Sequence, residues 1–173
     1  TVFPGHAVKA RGPVRKLPAG AALKIDPAVV DSYMKAWNTA GLIVLRDGKI
    51  VLEKYGLGFD AKGRWTSFSV AKSFTSTLVG AAIKDGAITS LTDPVTRYIP
   101  ELAGSGYDGV TVQQLLTMTS GVKWNEDYTD PNSDVARMLS VNAAPGEDMT
   151  VAYMKTLPRA SAPGTKWVYK TGE

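Results

Sequence analysis

Residues Val70 to Asp85 read as a helix that is apolar or small almost without a break. Phe74, Leu78, Ala81 and Ala82 recur at helical spacing, while Thr75, Gly80 and Ala81 leave room for close packing. Apolar character on so many sides predicts burial on most of them, so the rest of the chain has to be arranged around this helix. Asp85-Gly86 ends it, with Gly86 suited to a left-handed cap.

The same helix begins with Phe68-Ser69-Val70-Ala71-Lys72-Ser73. Ser69 and Lys72 are three apart, a spacing that puts both on one face of a helix. In the first turn they meet the positive end formed by unpaired backbone N–H groups. That field, with partial burial, favours the neutral, proton-accepting form of a lysine. A serine hydroxyl beside such an amine is activated as a nucleophile. Taken alone, the pair reads more readily as a plain helix cap, Ser69, and a solvated surface residue, Lys72.

Other classes of chemistry are excluded more firmly. The chain has no cysteine, which removes disulfides, thiol catalysis and thiolate metal sites. Its one histidine, His6, lies in an irregular arm, so neither a Ser-His-Asp triad nor a His-rich metal site is expected. The net charge of +4 comes largely from Lys9, Arg11, Arg15 and Lys16 in that arm, and no basic helix or basic-aromatic array points to nucleic acid. No run is long enough to span a membrane. The chain starts at Thr1 without a signal peptide, which leaves both a cytoplasmic location and a secreted or periplasmic one after processing open.

Along the chain, residues 1–22, rich in Pro, Gly and basic residues, are expected to form an extended arm. Residues 23–68 should hold a helix and a hairpin, and residues 69–173 the nucleophile-bearing helix and a helical region. Asp26-Pro27 starts a helix with its stripe at Val29, Val30, Tyr33, Met34 and Trp37. Strands Gly41 to Leu45 and Ile50 to Tyr55 flank Asp47-Gly48, a strong hairpin signal. Asp93-Pro94 opens a brief helix, Val95 to Tyr98. Thr111 and Gln114 form a capping box for Val112 to Met118. Ser133 caps a helix through Leu139, Thr150 caps Val151 to Leu157, and Lys166 to Tyr169 is extended. Two strands do not make a finished sheet, which predicts further strands beyond Glu173.

The ordered segments resemble the serine β-lactamase and penicillin-binding protein superfamily, in particular its class C-like branch of esterases, D-aminopeptidases and 6-aminohexanoate-dimer hydrolases. They are the hairpin Gly41 to Val51; Phe68-Ser69-Val70-Ala71-Lys72-Ser73; Asp85-Gly86; Leu91-Thr92-Asp93-Pro94-Val95; Tyr98-Ile99-Pro100; Val110 to Gly121; and Pro163-Gly164-Thr165-Lys166-Trp167-Val168-Tyr169. The resemblance implies an α/β sandwich of the β-lactamase/transpeptidase type with a helical region, its C-terminal strands missing from this chain. It also implies roles. Ser69 matches the nucleophile that forms an acyl-enzyme, Lys72 its base, and Tyr169 the tyrosine of the second motif, although an ordinary half-buried aromatic is the bland reading of Tyr169. No metal or organic cofactor is implied.

Two departures qualify the match. Thr171 stands where the common motif has Asn, and Tyr169-Lys170-Thr171-Gly172-Glu173 looks like the variant of aminohexanoate-dimer hydrolases and esterases. Lys170-Thr171-Gly172 spells the third motif of many relatives, but it follows Tyr169 directly, so that motif and its oxyanion donor are expected on a later strand. Such a strand, in the C-terminal remainder of the fold, is the partner the chain requires. Phe68, Trp65, Trp124, Trp167 and Thr171 are candidates for the substrate pocket, with core packing equally open for the aromatics. Glu126 and Asp127 read either as contacts for a substrate ammonium or as parts of a solvated loop. The expected reaction is hydrolysis of a small amide or ester, with β-lactamase or D-Ala-D-Ala peptidase activity as alternatives and a catalytically silent binding or structural member as the alternative of another class.

Overall fold

The computed structural model describes Lys9, Gly12, Pro13 and residues 15–173. Half of the expected arm, residues 1–8, 10, 11 and 14, and His6 with it, lies outside the described residues. The chain divides into two compact units, Thr1–Thr66 and Ser67–Glu173.

In the first unit α1, Pro27–Ala36, starts as its sequence dictates: the Asp26 side chain accepts from the Ala28 N–H at 2.9 Å, and Pro27 fills the first turn, where its missing N–H does no harm. Strands β1, Gly41–Arg46, and β2, Lys49–Tyr55, pair antiparallel. The connecting residues Asp47 (φ 51°) and Gly48 (φ 71°) both take positive φ, as a two-residue hairpin requires. Between Val44 and Leu45 the register shifts, so Val51 of β2 has no partner on β1. Val51 is buried, together with Val30, Met34 and Ala40. The other edge of β2 is occupied by the end of the N-terminal arm. Ile50 N–H donates to Pro18 O at 2.9 Å, Gly20 N–H to Ile50 O at 2.8 Å, and Leu23 N–H to Val51 O at 2.9 Å. Trp65 belongs to this unit and packs edge-on against Phe59, with ring centroids 5.4 Å apart.

The second unit opens with a 3-10 turn, Phe68–Val70, fused to α2, Ala71–Lys84. Short helices α3, Val112–Leu116, α4, Asp134–Met138, and α5, Met149–Met154, follow, with 3-10 turns at Val95–Arg97 and Pro100–Leu102. Their core is Val95, Leu102, Tyr107, Val110, Val112, Val122, Met154 and Leu157. Burial of each aliphatic side chain there contributes about 1.5–3 kcal/mol. The capping box of α3 forms in both directions: Gln114 N–H donates to Thr111 Oγ1 at 3.2 Å, and Thr111 N–H to Gln114 Oε1 at 2.9 Å. Ser133 caps α4, as its position suggests. The cap of α5 is Asp148, not Thr150, because its carboxylate reaches both the Thr150 and Val151 N–H groups.

A further expectation is corrected. No residue of α2 is buried, and Phe74 and Leu78 remain 68% and 69% exposed. Toward its own unit the helix turns Val79, which packs against the core, and Lys72, which reaches Thr171; within that unit nothing covers Phe74 and Leu78. Lys166–Tyr169 forms no helix, in keeping with an extended run. Pro158 to Val168 runs beside Met118 to Lys123, held by Lys123 N–H to Pro158 O (2.9 Å), Gly164 N–H to Thr119 O (2.8 Å) and Val168 N–H to Met118 O (3.0 Å). With its α-helices and two-stranded sheet the chain is α/β, the sheet small and incompletely closed. Among the described residues no helix is long and apolar enough to cross a membrane.

Candidate active site

Ser69 sits in the 3-10 turn and Lys72 is the second residue of α2. Three residues per turn align positions three apart, so the junction keeps the serine and the lysine on one line. Phe68, just before the serine, has φ 43°, a conformation that a bulky side chain rarely adopts. It is exposed, so packing of its ring does not explain the strain.

Lys72 is half-buried, and its Nζ donates to the Thr171 carbonyl at 3.2 Å. That bond joins the start of α2 to the turn that follows Tyr169, across 99 positions of sequence. Tyr169 is partly exposed and stands two residues before the accepting carbonyl. The same face of α2, with Val112, Leu115 and Met118, lines a largely apolar cavity of about 240 Å³ to which Lys72 and Glu173 also contribute.

Three contacts fix the turn. Glu126 accepts from the Thr171 N–H at 2.9 Å and from the Thr171 hydroxyl. It also accepts from the Trp124 indole and, at 3.0 Å, from the Tyr128 hydroxyl. Burial pushes the Glu126 carboxyl up, but these hydrogen bonds, those from Thr171 foremost, outweigh it and hold the group below its ordinary value. Gly172 is held next: its carbonyl accepts from the buried Tyr107 hydroxyl at 2.8 Å. A Cβ on Gly172 would stand 3.0 Å from the Trp124 ring and 3.1 Å from Met154 Sδ, a tight approach that glycine avoids. Burial, then the negative charges of Glu173 and Asp134, push the Tyr107 hydroxyl up, which keeps it a donor. The third contact is a buried cluster. Lys170 Nζ donates to Ser120 Oγ at 2.8 Å and to Glu173 Oε1 at 2.5 Å, while Ser120 Oγ donates to the same carboxylate oxygen.

The expected pocket residues separate. Thr171 stands at the centre of the contacts just described. Trp124 is half-buried, packed edge-on against Tyr153 with centroids 6.3 Å apart. Burial, then the Asp134 carboxylate that accepts from it at 2.6 Å, pushes the Tyr153 hydroxyl up to about 12. Phe68 and Trp167 are exposed, and Trp65 lies in the other unit. Glu126 lies in an exposed loop, yet its carboxylate is not free, because three side chains and a backbone N–H donate to it. Asp127 is exposed and accepts from the Thr129 N–H and hydroxyl. The cluster of Lys170, Glu173 and Ser120 escapes sequence reasoning. Its one local sign is a Lys and a Glu three apart; Ser120 is 50 positions away.

The family model described as Beta-lactamase matches residues 28–172. The chain is 38% identical over 139 residues to a 6-aminohexanoate-dimer hydrolase of Paenarthrobacter ureafaciens, covering 78% of this chain and 35% of that protein. Among solved structures, one from Bacillus anthracis described as "Putative 6-aminohexanoate-dimer hydrolase" superposes with a TM-score of 0.70 at 19% identity, covering 92% of this chain and 46% of the other. A class C β-lactamase superposes with a TM-score of 0.55 at 26% identity, covering 83% and 38%. The chain thus spans about a third of the hydrolase it matches in sequence and under half of these structures. With the matched model running from α1 to Gly172, the chain belongs to the β-lactamase family.

Proposed function

We propose that the protein carrying this chain is a serine hydrolase that cleaves a small amide or ester through an acyl-enzyme. Ser69 Oγ attacks the carbonyl carbon, and its proton passes to Lys72, with Tyr169 as the second proton carrier that serves the leaving group. The Ser69 N–H is one donor to the oxyanion. A second donor comes from a strand outside this chain, and loss of one such donor lowers rate by about 10²–10³. Water then releases the acyl group. The observation that carries this reading is the 3.2 Å contact from Lys72 Nζ to the Thr171 carbonyl, which ties the Ser69 turn to the segment bearing Tyr169. The 38% identity to a 6-aminohexanoate-dimer hydrolase favours a short linear amide as substrate. Likeness to a class C β-lactamase supports a β-lactam as the second reading.

The test uses the intact protein with p-nitrophenyl acetate. Turnover is expected, and Ser69→Ala is expected to abolish it while circular dichroism shows the fold retained. Unchanged turnover in that variant overturns the mechanism, and no turnover in wild type against any of four substrates favours a silent family member. The four are the ester, a linear amide dimer, nitrocefin and a D-Ala-D-Ala peptide.

A further inference from the structure

We infer that the buried Lys170–Glu173 pair, bridged by Ser120, is a positioning device that sets Lys72 and Tyr169 in register for proton transfer. The inference rests on the serine-hydrolase reading and adds residues that this reading does not use.

Lys170 follows Tyr169 directly, and Lys170 to Glu173 brackets Thr171-Gly172, the turn whose carbonyl accepts from Lys72. The ion pair therefore staples the turn from inside, side chain to side chain across three positions. Ser120 extends the staple to the loop after α3: its Oγ accepts from Lys170 and from the Val122 N–H at 3.1 Å, and donates to Glu173. A shift of this turn moves the Thr171 carbonyl, and with it the acceptor of Lys72 Nζ, in the same step as it moves Tyr169.

Stability does not account for such a pair. The side chains of Lys170 and Glu173 are 2% and 0% exposed. Desolvation of two charges commonly exceeds their mutual attraction, and an apolar replacement of the whole group is often neutral or stabilising. Glu173 Oε2 has no hydrogen-bond partner among the described residues. What the pair supplies is geometry. Each charged group is tied to the other and to Ser120, so the turn has one arrangement rather than several.

The experiment separates positioning from mere support. In the intact protein, wild type and Ser69→Ala first establish that turnover of p-nitrophenyl acetate depends on Ser69; if it does not, the serine-hydrolase reading fails and the positioning role with it. Given that dependence, the triple variant Ser120→Ala/Lys170→Met/Glu173→Met removes every charged partner at once. Its Tm is expected to equal or exceed that of wild type, with KM within about twofold and kcat lowered by about 10²-fold, as for a small misplacement of catalytic groups. Glu173→Gln, which keeps shape and hydrogen-bonding capacity, is expected to lower kcat by about tenfold at unchanged KM, measured below its own Tm. A folded triple variant with wild-type kcat overturns the inference. If the triple variant does not fold, Glu173→Gln decides: wild-type kcat there overturns it, and a kcat loss without a KM change supports it.

Discussion

Four hydrogen bonds converge on the Glu126 carboxylate, from Trp124, Tyr128 and both the N–H and the hydroxyl of Thr171. A carboxyl held below its ordinary value binds a proton less readily folded than unfolded. Its contribution to stability is therefore complete above the ordinary carboxylate range, near pH 4.5, and is lost as pH falls through the lower folded value. Glu126→Gln is expected to lower the urea midpoint at about pH 7 and to differ less from wild type at about pH 3. A gap that is constant with pH would show that the charge of Glu126 plays no part. At this scale the sequence reveals less than at any other. Ser69 and Lys72 can be proposed from sequence because their spacing is local. Glu126 and Thr171 are 45 positions apart, and nothing in Trp124-Asn125-Glu126-Asp127-Tyr128 announces which oxygen will meet which donor.

Elements whose ends are set by neighbouring residues read well. The Asp26-Pro27 start of α1, the Asp47-Gly48 hairpin and the Thr111-Gln114 box all form as written, since each needs only residues two to three positions away. The cap of α5 goes to Asp148 because Asp148 and Thr150 are both good caps and only packing chooses between them. The loop Pro158 to Val168 has no local signature, and its path is set by the Ser120-Gly121 turn beside it. Gly121 takes φ 75°, its carbonyl accepts from both Ala160 and Ser161 N–H groups, and a Cβ there would stand 2.1 Å from Ser161 O. Gly121→Ala combines a strained backbone with a steric clash and is expected to destabilise by about 2–4 kcal/mol. Urea denaturation checks this; a loss under about 0.5 kcal/mol, the size of an ordinary surface change, would show that the loop simply moves aside.

For the molecule as a whole, the order of segments carried the family, because no one of them is specific and their succession is. What the apolar pattern of α2 misjudged is its burial within this chain's second unit, which leaves Phe74 and Leu78 open. An apolar helix face of that size is covered in a folded protein. In the protein carrying this chain, Phe74→Ala and Leu78→Ala are each expected to cost about 2–5 kcal/mol, as for core positions. Denaturation midpoints measure this, and near-wild-type values would mean that the face meets solvent. The hairpin adds a directional constraint. Pro18 and Gly20 satisfy the outward N–H and C=O of Ile50, and Leu23 takes the carbonyl of Val51. That margin of the sheet is closed at the start of β2, so an incoming strand finds the groups of Ile50 and the carbonyl of Val51 already taken, a local guard against edge-to-edge pairing supplied by the chain itself.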